Sequence, residues 1–274
     1  MFRLVASETE SLTLDEVIGR LAAQENVRGI VLLGSTAGAS LTADSDYDLL
    51  LILAQLPVPL QVIFTTIDGR LTDLIFSDMQ FIDHILGDGQ LDPDLPAIGN
   101  LMNWLQKGEV VHDSSGYIRL AQTKLKDGMW LLPPDQKAIF NVWKGIHYNY
   151  YQTKRMLASA DPIYQTAVDL RLTYMLTDVW FGYFVVRQLP WEGEKKAVRY
   201  WQTHDPDYLA LFQKYLMAAD RQQRFGVYTE LAQRALEPLG GLADTPTTMV
   251  TLQGDDWRVA DLEEAFDLWH RLLS

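Results

Sequence analysis

Two aspartates two positions apart, Asp46 and Asp48, lead into the apolar run Leu49 to Leu53. In a strand such residues project from one face while Tyr47 points from the other. Paired hard oxygen ligands suit Mg²⁺, which takes one or two carboxylates together with substrate phosphates more readily than a cage made only of protein. Upstream, Gly34-Ser35 closes a second apolar run, Gly29 to Leu33. A backbone without a β-carbon lets a phosphate approach there, and the next amides can donate to it. The chemistry these residues suggest is a metal-assisted reaction at a nucleoside triphosphate.

Gly34, Ser35, Ser45, Asp46 and Asp48, at this interval and ahead of an apolar strand, resemble the signature of the polymerase-beta-like nucleotidyltransferase superfamily. Its smaller members include minimal and aminoglycoside nucleotidyltransferases. The chain departs from the pattern after the turn, where many members carry an arginine and then a glycine and this chain has Gly38 and Ala39. The resemblance implies an α+β fold, with a small mixed-sheet nucleotidyltransferase domain over 1–130 and a helical substrate-binding domain over 131–274. It also implies an enzyme dependent on Mg²⁺, or Mn²⁺, that transfers a nucleoside monophosphate. The default transfer is AMP from ATP to a hydroxyl of a small polar acceptor held between the domains. Gly34, Ser35 and Ser45 would then contact the nucleotide, and Asp46 and Asp48 would be catalytic metal ligands.

The family also expects a third carboxylate on a neighbouring strand. Gln61 to Ile67 and Arg70 to Phe76 flank the tight-turn pair Asp68-Gly69 and read as a hairpin. Asp73 falls in the middle of the returning strand, alternating with Leu71 and Ile75, where a lone carboxylate in a packed sheet is costly without a metal, a partner or solvent. Asp73 is therefore the expected third metal and catalytic residue, set against an ordinary exposed aspartate on an edge strand. Asp44 reads as a loop residue.

With 274 residues, 48% of them hydrophobic, the chain can bury one large core or two modest ones, and two domains are expected. It has no cysteine, which excludes thiol catalysis and disulfides and fits a reducing cytoplasm. The opening Met1 to Ser7 reads as no secretory signal, and no apolar run reaches membrane-spanning length. A formal net charge of -13 opposes a broad phosphate-tracking surface, so a polynucleotide partner is disfavoured and a neutral or cationic acceptor favoured.

Apolar spacing predicts a helix over 12–24 with Ser11 or Thr13 as cap, and strands over 27–33 and 46–53. The hairpin follows, then a short helix to Leu86 capped by Ser77 or Asp78, a loop over 87–96, a helix from about 95 to 106, and a last strand over 109–112. After Gly128 the texture turns helical, with segments expected over 135–158, 163–188, 194–203, 206–219, 224–236 and 255–273, and a loop over 240–254. The boundary falls near 128–134.

In that helical half, Trp191-Glu192-Gly193-Glu194-Lys195-Lys196 follows a proline and opens a helix, so its first-turn amides and lysines suit an anion. The run resembles a segment of helical domains fused to small-molecule nucleotidyltransferases. That resemblance points to Lys195 as a nucleotide-phosphate residue, with Lys196 as the substitute, against the reading of a solvated helix start. Arg171, Tyr174 and Asp178 share a helix face, and His147, Tyr148 and Tyr151 could join them. The competing reading is a buried polar network between two helices. Asp178 and Glu192 are positional candidates for a base, and Trp104, Trp130, Trp143, Trp180 and Trp201 are expected in the core. Two other functional classes stand open. Arg199 and His204 fit the Arg-x4-His spacing of HEPN-type ribonucleases, and the chain could be a catalytically silent nucleotide-binding or antitoxin-like module.

Overall fold

The computed structural model describes residues 9–38, 41–87, 91, 96–243, 248–252 and 257–274. Ala39, the 1–7 opening and parts of the 87–96 and 240–254 loops named above lie outside the described residues. The chain divides into two compact units, Met1–Leu132 and Pro133–Ser274.

The first unit is built on a mixed five-stranded sheet. Helix α1 (Leu14–Ala22) starts at Thr13, whose side chain and that of Glu16 form a reciprocal capping box. Strands β1 (Val27–Leu32), β2 (Tyr47–Leu53), β3 (Val62–Ile67) and β4 (Arg70–Asp78) follow, and β5 (Glu109–Asp113) closes the sheet in the order β3-β4-β2-β1-β5. The pair β2 and β4 is parallel, and the other neighbouring pairs are antiparallel. Asp68 and Gly69 both have positive φ (53° and 70°), the geometry of the tight hairpin turn their types predict.

Alternation sorts the strand residues between two cores. Ile30, Leu32, Tyr47, Leu49, Leu51, Leu74 and Phe76 pack with Val17 of α1 on one face. Val31, Leu33, Leu50, Ile52 and Ile75 lie on the other, under α2 (Met79–Leu86), α3 (Pro96–Lys107) and α4 (Tyr117–Leu125). Helix α4 is not among the elements that apolar spacing predicts. Gly29 makes room for it, since a β-carbon there would stand 1.9 Å from Cδ1 of the fully buried Ile118.

The second unit is helical: α5 (Gln136–Leu157), α6 (Pro162–Val186), α7 (Glu194–His204), α8 (Pro206–Met217), α9 (Arg221–Ala235) and α10 (Val259–Leu273), with one 3-10 turn at Glu237–Leu239. Two aspartate-proline pairs, Asp161-Pro162 and Asp205-Pro206, start helices. Asp161 and Asp205 cap α6 and α8 through side-chain bonds to Ile163 and Tyr208, and the prolines take first-turn positions. Trp201 is fully enclosed in this core, with Trp143 and Trp180 packed against it, while Trp104 and Trp130 pack in the first unit. Asp205 is the hub of a buried polar cluster, accepting two bonds from Arg234 and one from the Tyr183 hydroxyl. Among the described residues no helix is long and apolar enough to cross a membrane.

Candidate active site

The three aspartates share one face of the sheet. Leu50 and Ile52, which continue the alternation from Asp46 and Asp48, belong to the core under α2, α3 and α4, and so does Ile75, two residues from Asp73. In the parallel β2–β4 pair Asp48 is the register partner of Asp73, which sets them one strand spacing apart, about 4.8 Å. Asp46 lies one residue ahead of β2 on the same side, and its charge reaches Asp73. Burial first, and the Asp46 carboxylate second, raise the Asp73 carboxyl above the ordinary aspartate range.

The Gly34-Ser35 turn adjoins this group. Gly34 is left-handed (φ +52°), and a β-carbon there would sit 3.2 Å from Asp48 Oδ2. Glycine is needed for the backbone angle and also for the close approach. The turn is tied to β2 by hydrogen bonds: Leu33 N donates to Asp48 O at 2.9 Å, and Asp48 N donates to the Thr36 hydroxyl at 3.0 Å. Thr36 is buried and was not singled out in the sequence. Its only signal there is a hydroxyl residue directly after the Gly-Ser pair. Ser45 is also buried, and its hydroxyl accepts from Thr42 N at 3.0 Å, so it serves the loop that delivers Asp46.

A second unsignalled residue is Arg70. Its Nη1 donates to the carbonyls of Thr42, Ala43 and Ser45 at 2.5, 3.2 and 2.9 Å, and its guanidinium lies over the Tyr47 ring, 5.3 Å from the centroid.

Among the described residues no group of three or more His, Cys, Asp or Glu side chains stands where it could hold a metal ion by itself; Mg²⁺ commonly binds through one or two carboxylates with substrate phosphates and water.

The remaining predicted residues belong to the second unit. Gly193 (φ +97°) precedes α7, and Lys195 is exposed in its first turn. Lys196 forms an ion pair with Glu192 at 2.5 Å, beside a cavity of about 130 Å³ lined by Phe184, Trp191 and Tyr200. Arg171 Nη1 donates to Asn149 Oδ1, and Asn149 Nδ2 donates to Asp178 Oδ2, both at 2.6 Å. Tyr148 and Tyr174 flank the Arg171 guanidinium. This chain of bonds cross-links α5 and α6, the network reading. Burial raises the Asp178 carboxyl, which borders a cavity of about 250 Å³ with Asn141 and Thr177. Both cavities fall below the roughly 300–1,000 Å³ of sites that enclose a drug-sized ligand. His147 does not join the patch. It is fully buried, with Nδ1 donating to Trp143 O at 2.8 Å and Nε2 accepting from Ala243 N at 3.0 Å. Arg199 and His204, five apart on α7, are separated by roughly 140° around the helix axis. The His204 ring stacks on Tyr200 with centroids 4.3 Å apart, and its Nδ1 donates to Tyr200 O.

No protein-family model matches the chain, and no curated protein does. Among solved structures, one described as a nucleotidyltransferase-like protein from Exiguobacterium sibiricum 255-15 is similar over 81% of this chain and 76% of its own, with 14% identity and a TM-score of 0.39. A likeness this loose decides no function, and the weight rests on the sheet residues themselves.

Proposed function

We propose that the chain is a divalent-cation-dependent nucleotidyltransferase that moves a nucleoside monophosphate, by default AMP from ATP, to a hydroxyl of a small polar acceptor. The observation that carries this reading is the placing of Asp46, Asp48 and Asp73 on one sheet face beside the left-handed Gly34. Beyond the effect of burial, the Asp46 carboxylate adds to the raising of the Asp73 carboxyl, and a divalent cation would relieve that repulsion.

Asp46, Asp48 and Asp73 would hold the Mg²⁺, which when bound supplies charge neutralisation to a triphosphate. The Ser35 amide would donate to a phosphate oxygen that a side chain at 34 would keep away, while the Thr36 and Ala37 amides close the turn on Leu33 O. Thr36 would keep Asp48 in place through its backbone. Asp73 is the carboxylate we assign to receive the acceptor's proton. As the acceptor oxygen bonds to the α-phosphorus, the bond from that phosphorus to the pyrophosphate oxygen breaks and the proton passes to the Asp73 carboxylate. The acidic balance of the chain favours a neutral or cationic acceptor over a polynucleotide.

Thermal unfolding with MgATP, paired with pyrophosphate release over a panel of hydroxyl acceptors, tests the reading. The parent should be stabilised by MgATP, since a ligand of the native state raises its apparent stability by mass action. Asp46→Ala/Asp48→Ala should lose that gain. Equal stabilisation of parent and variant would remove the donor site.

A further inference from the structure

Asp46 is the one of the three aspartates that lies outside the paired strands. The register of β2 with β4 begins at Tyr47–Thr72, so Asp48 and Asp73 sit inside the ladder while Asp46 ends the turn-containing segment 42–46, in which Thr42, Ala43 and Asp44 are exposed. The course of its backbone is set in part by what holds its two neighbours, and Arg70 contacts both. Ser45 gives its carbonyl to Arg70 Nη1 at 2.9 Å, and Tyr47 offers its ring to the same guanidinium. Two further carbonyls, of Thr42 and Ala43, converge on that nitrogen.

Arg70 is itself fixed. It opens β4 directly after the left-handed Asp68-Gly69 turn and pairs with Ile67, and its own carbonyl accepts from the hydroxyl of the fully buried Thr72 at 3.1 Å. A planar, permanently charged group with donors in a rigid fork is suited to gather several carbonyls while lying on an aromatic face. Of these contacts the Tyr47 ring belongs to the core packed on α1, while the three carbonyls all lie in the segment that presents Asp46.

We infer that Arg70 is the positioning residue of the carboxylate site, clamping Ser45 and Tyr47 so that Asp46 is held ready to bind a divalent cation beside Asp48 and Asp73. This inference rests on the metal reading above, and its test separates the two. Mn²⁺ is the probe, titrated by electron paramagnetic resonance into the full chain, with amide hydrogen exchange of residues 42–46 followed in metal-free buffer. Arg70→Ala should speed exchange across that segment and weaken Mn²⁺ binding by roughly 10- to 100-fold, the usual cost of losing a group that orients a metal ligand. The midpoint of thermal unfolding should change little. Arg70→Lys, whose ammonium keeps three rotatable donors but loses the planar fork and its stacking, should recover binding only in part, ending between the alanine variant and the parent. In turnover, the loss should fall on the KM for the metal–nucleotide complex more than on kcat. Unchanged exchange in Arg70→Ala, unchanged Mn²⁺ affinity despite faster exchange, or a lysine variant no better than alanine would each overturn the inference alone. A parent that binds no Mn²⁺ overturns the metal reading and this inference with it.

Discussion

Replacing Gly34 by alanine imposes two separable costs. The first is backbone strain: at φ +52° an L side chain loses on the order of 1–2 kcal/mol. In a unit of this size that lowers the unfolding midpoint by roughly 4–8 °C. The second is local, because the added methyl stands 3.2 Å from Asp48 Oδ2, and the carboxylate must give by a few tenths of an ångström. Gly116 provides the control. It is also left-handed (φ +79°), a β-carbon there meets nothing within 4 Å, and it follows β5 at the end of the sheet remote from Gly34. Gly116→Ala should therefore cost similar stability and leave the site intact. Displacements of about 1 Å can cost 10²-fold in an organised site, so a shift of tenths should weaken MgATP binding or turnover roughly tenfold. At saturating ligand, a tenfold loss removes about 1.4 kcal/mol of nucleotide-dependent stabilisation. The assay is the MgATP-induced rise in unfolding midpoint, with pyrophosphate release measured below the melting range of both variants. If Gly34→Ala keeps the parent's nucleotide response, or Gly116→Ala loses as much of it, the close approach of Gly34 to the site is refuted.

Two pH-dependent outcomes follow from the buried titrating groups. Asp73 holds its proton more tightly folded than unfolded, so in metal-free buffer its contribution to stability falls as pH rises from the ordinary aspartate value through its raised one. Asp73→Asn should melt higher than the parent at pH 7, with a flatter profile above pH 4, and should lose Mn²⁺ binding; a variant that melts lower at pH 7 would contradict the electrostatic account. His147 behaves in the opposite sense, because burial lowers its pKa and both ring nitrogens serve a neutral tautomer. Its contribution is complete above the unfolded value near 6.5 and is lost as pH falls from there toward the folded value. Denaturant unfolding between pH 7.5 and 5 should show this loss in the parent and a weaker dependence in His147→Gln.

Much of this protein is legible in residue order. The Asp68-Gly69 pair specifies its hairpin because both positions need positive φ, and Thr13 with Glu16 specifies the start of α1 because the two side chains complete each other's hydrogen bonds. The spacing of Asp46 and Asp48 is enough to put both on one face, since the strand period is two. Helix α4 was missed because its support is distant in sequence: Ile118 packs into the space left by Gly29, 89 positions earlier. His147 could join the polar patch by its place on the preceding helix, and nothing local shows that a backbone segment at Ala243 covers it instead.

Within the site, the local pattern determined the types: a glycine that must bend, two carboxylates in step and a third on a hairpin. It could not determine that β2 and β4 run parallel with Asp48 opposite Asp73, because strand pairing is chosen by burying both sheet faces at once. Nor could it assign Arg70 and Thr36, whose partners lie up to 28 and 12 residues away and become neighbours only when the sheet closes. Spacing along the chain selects the residues that can do chemistry, and tertiary packing decides which of them meet, because contact depends on distance in space.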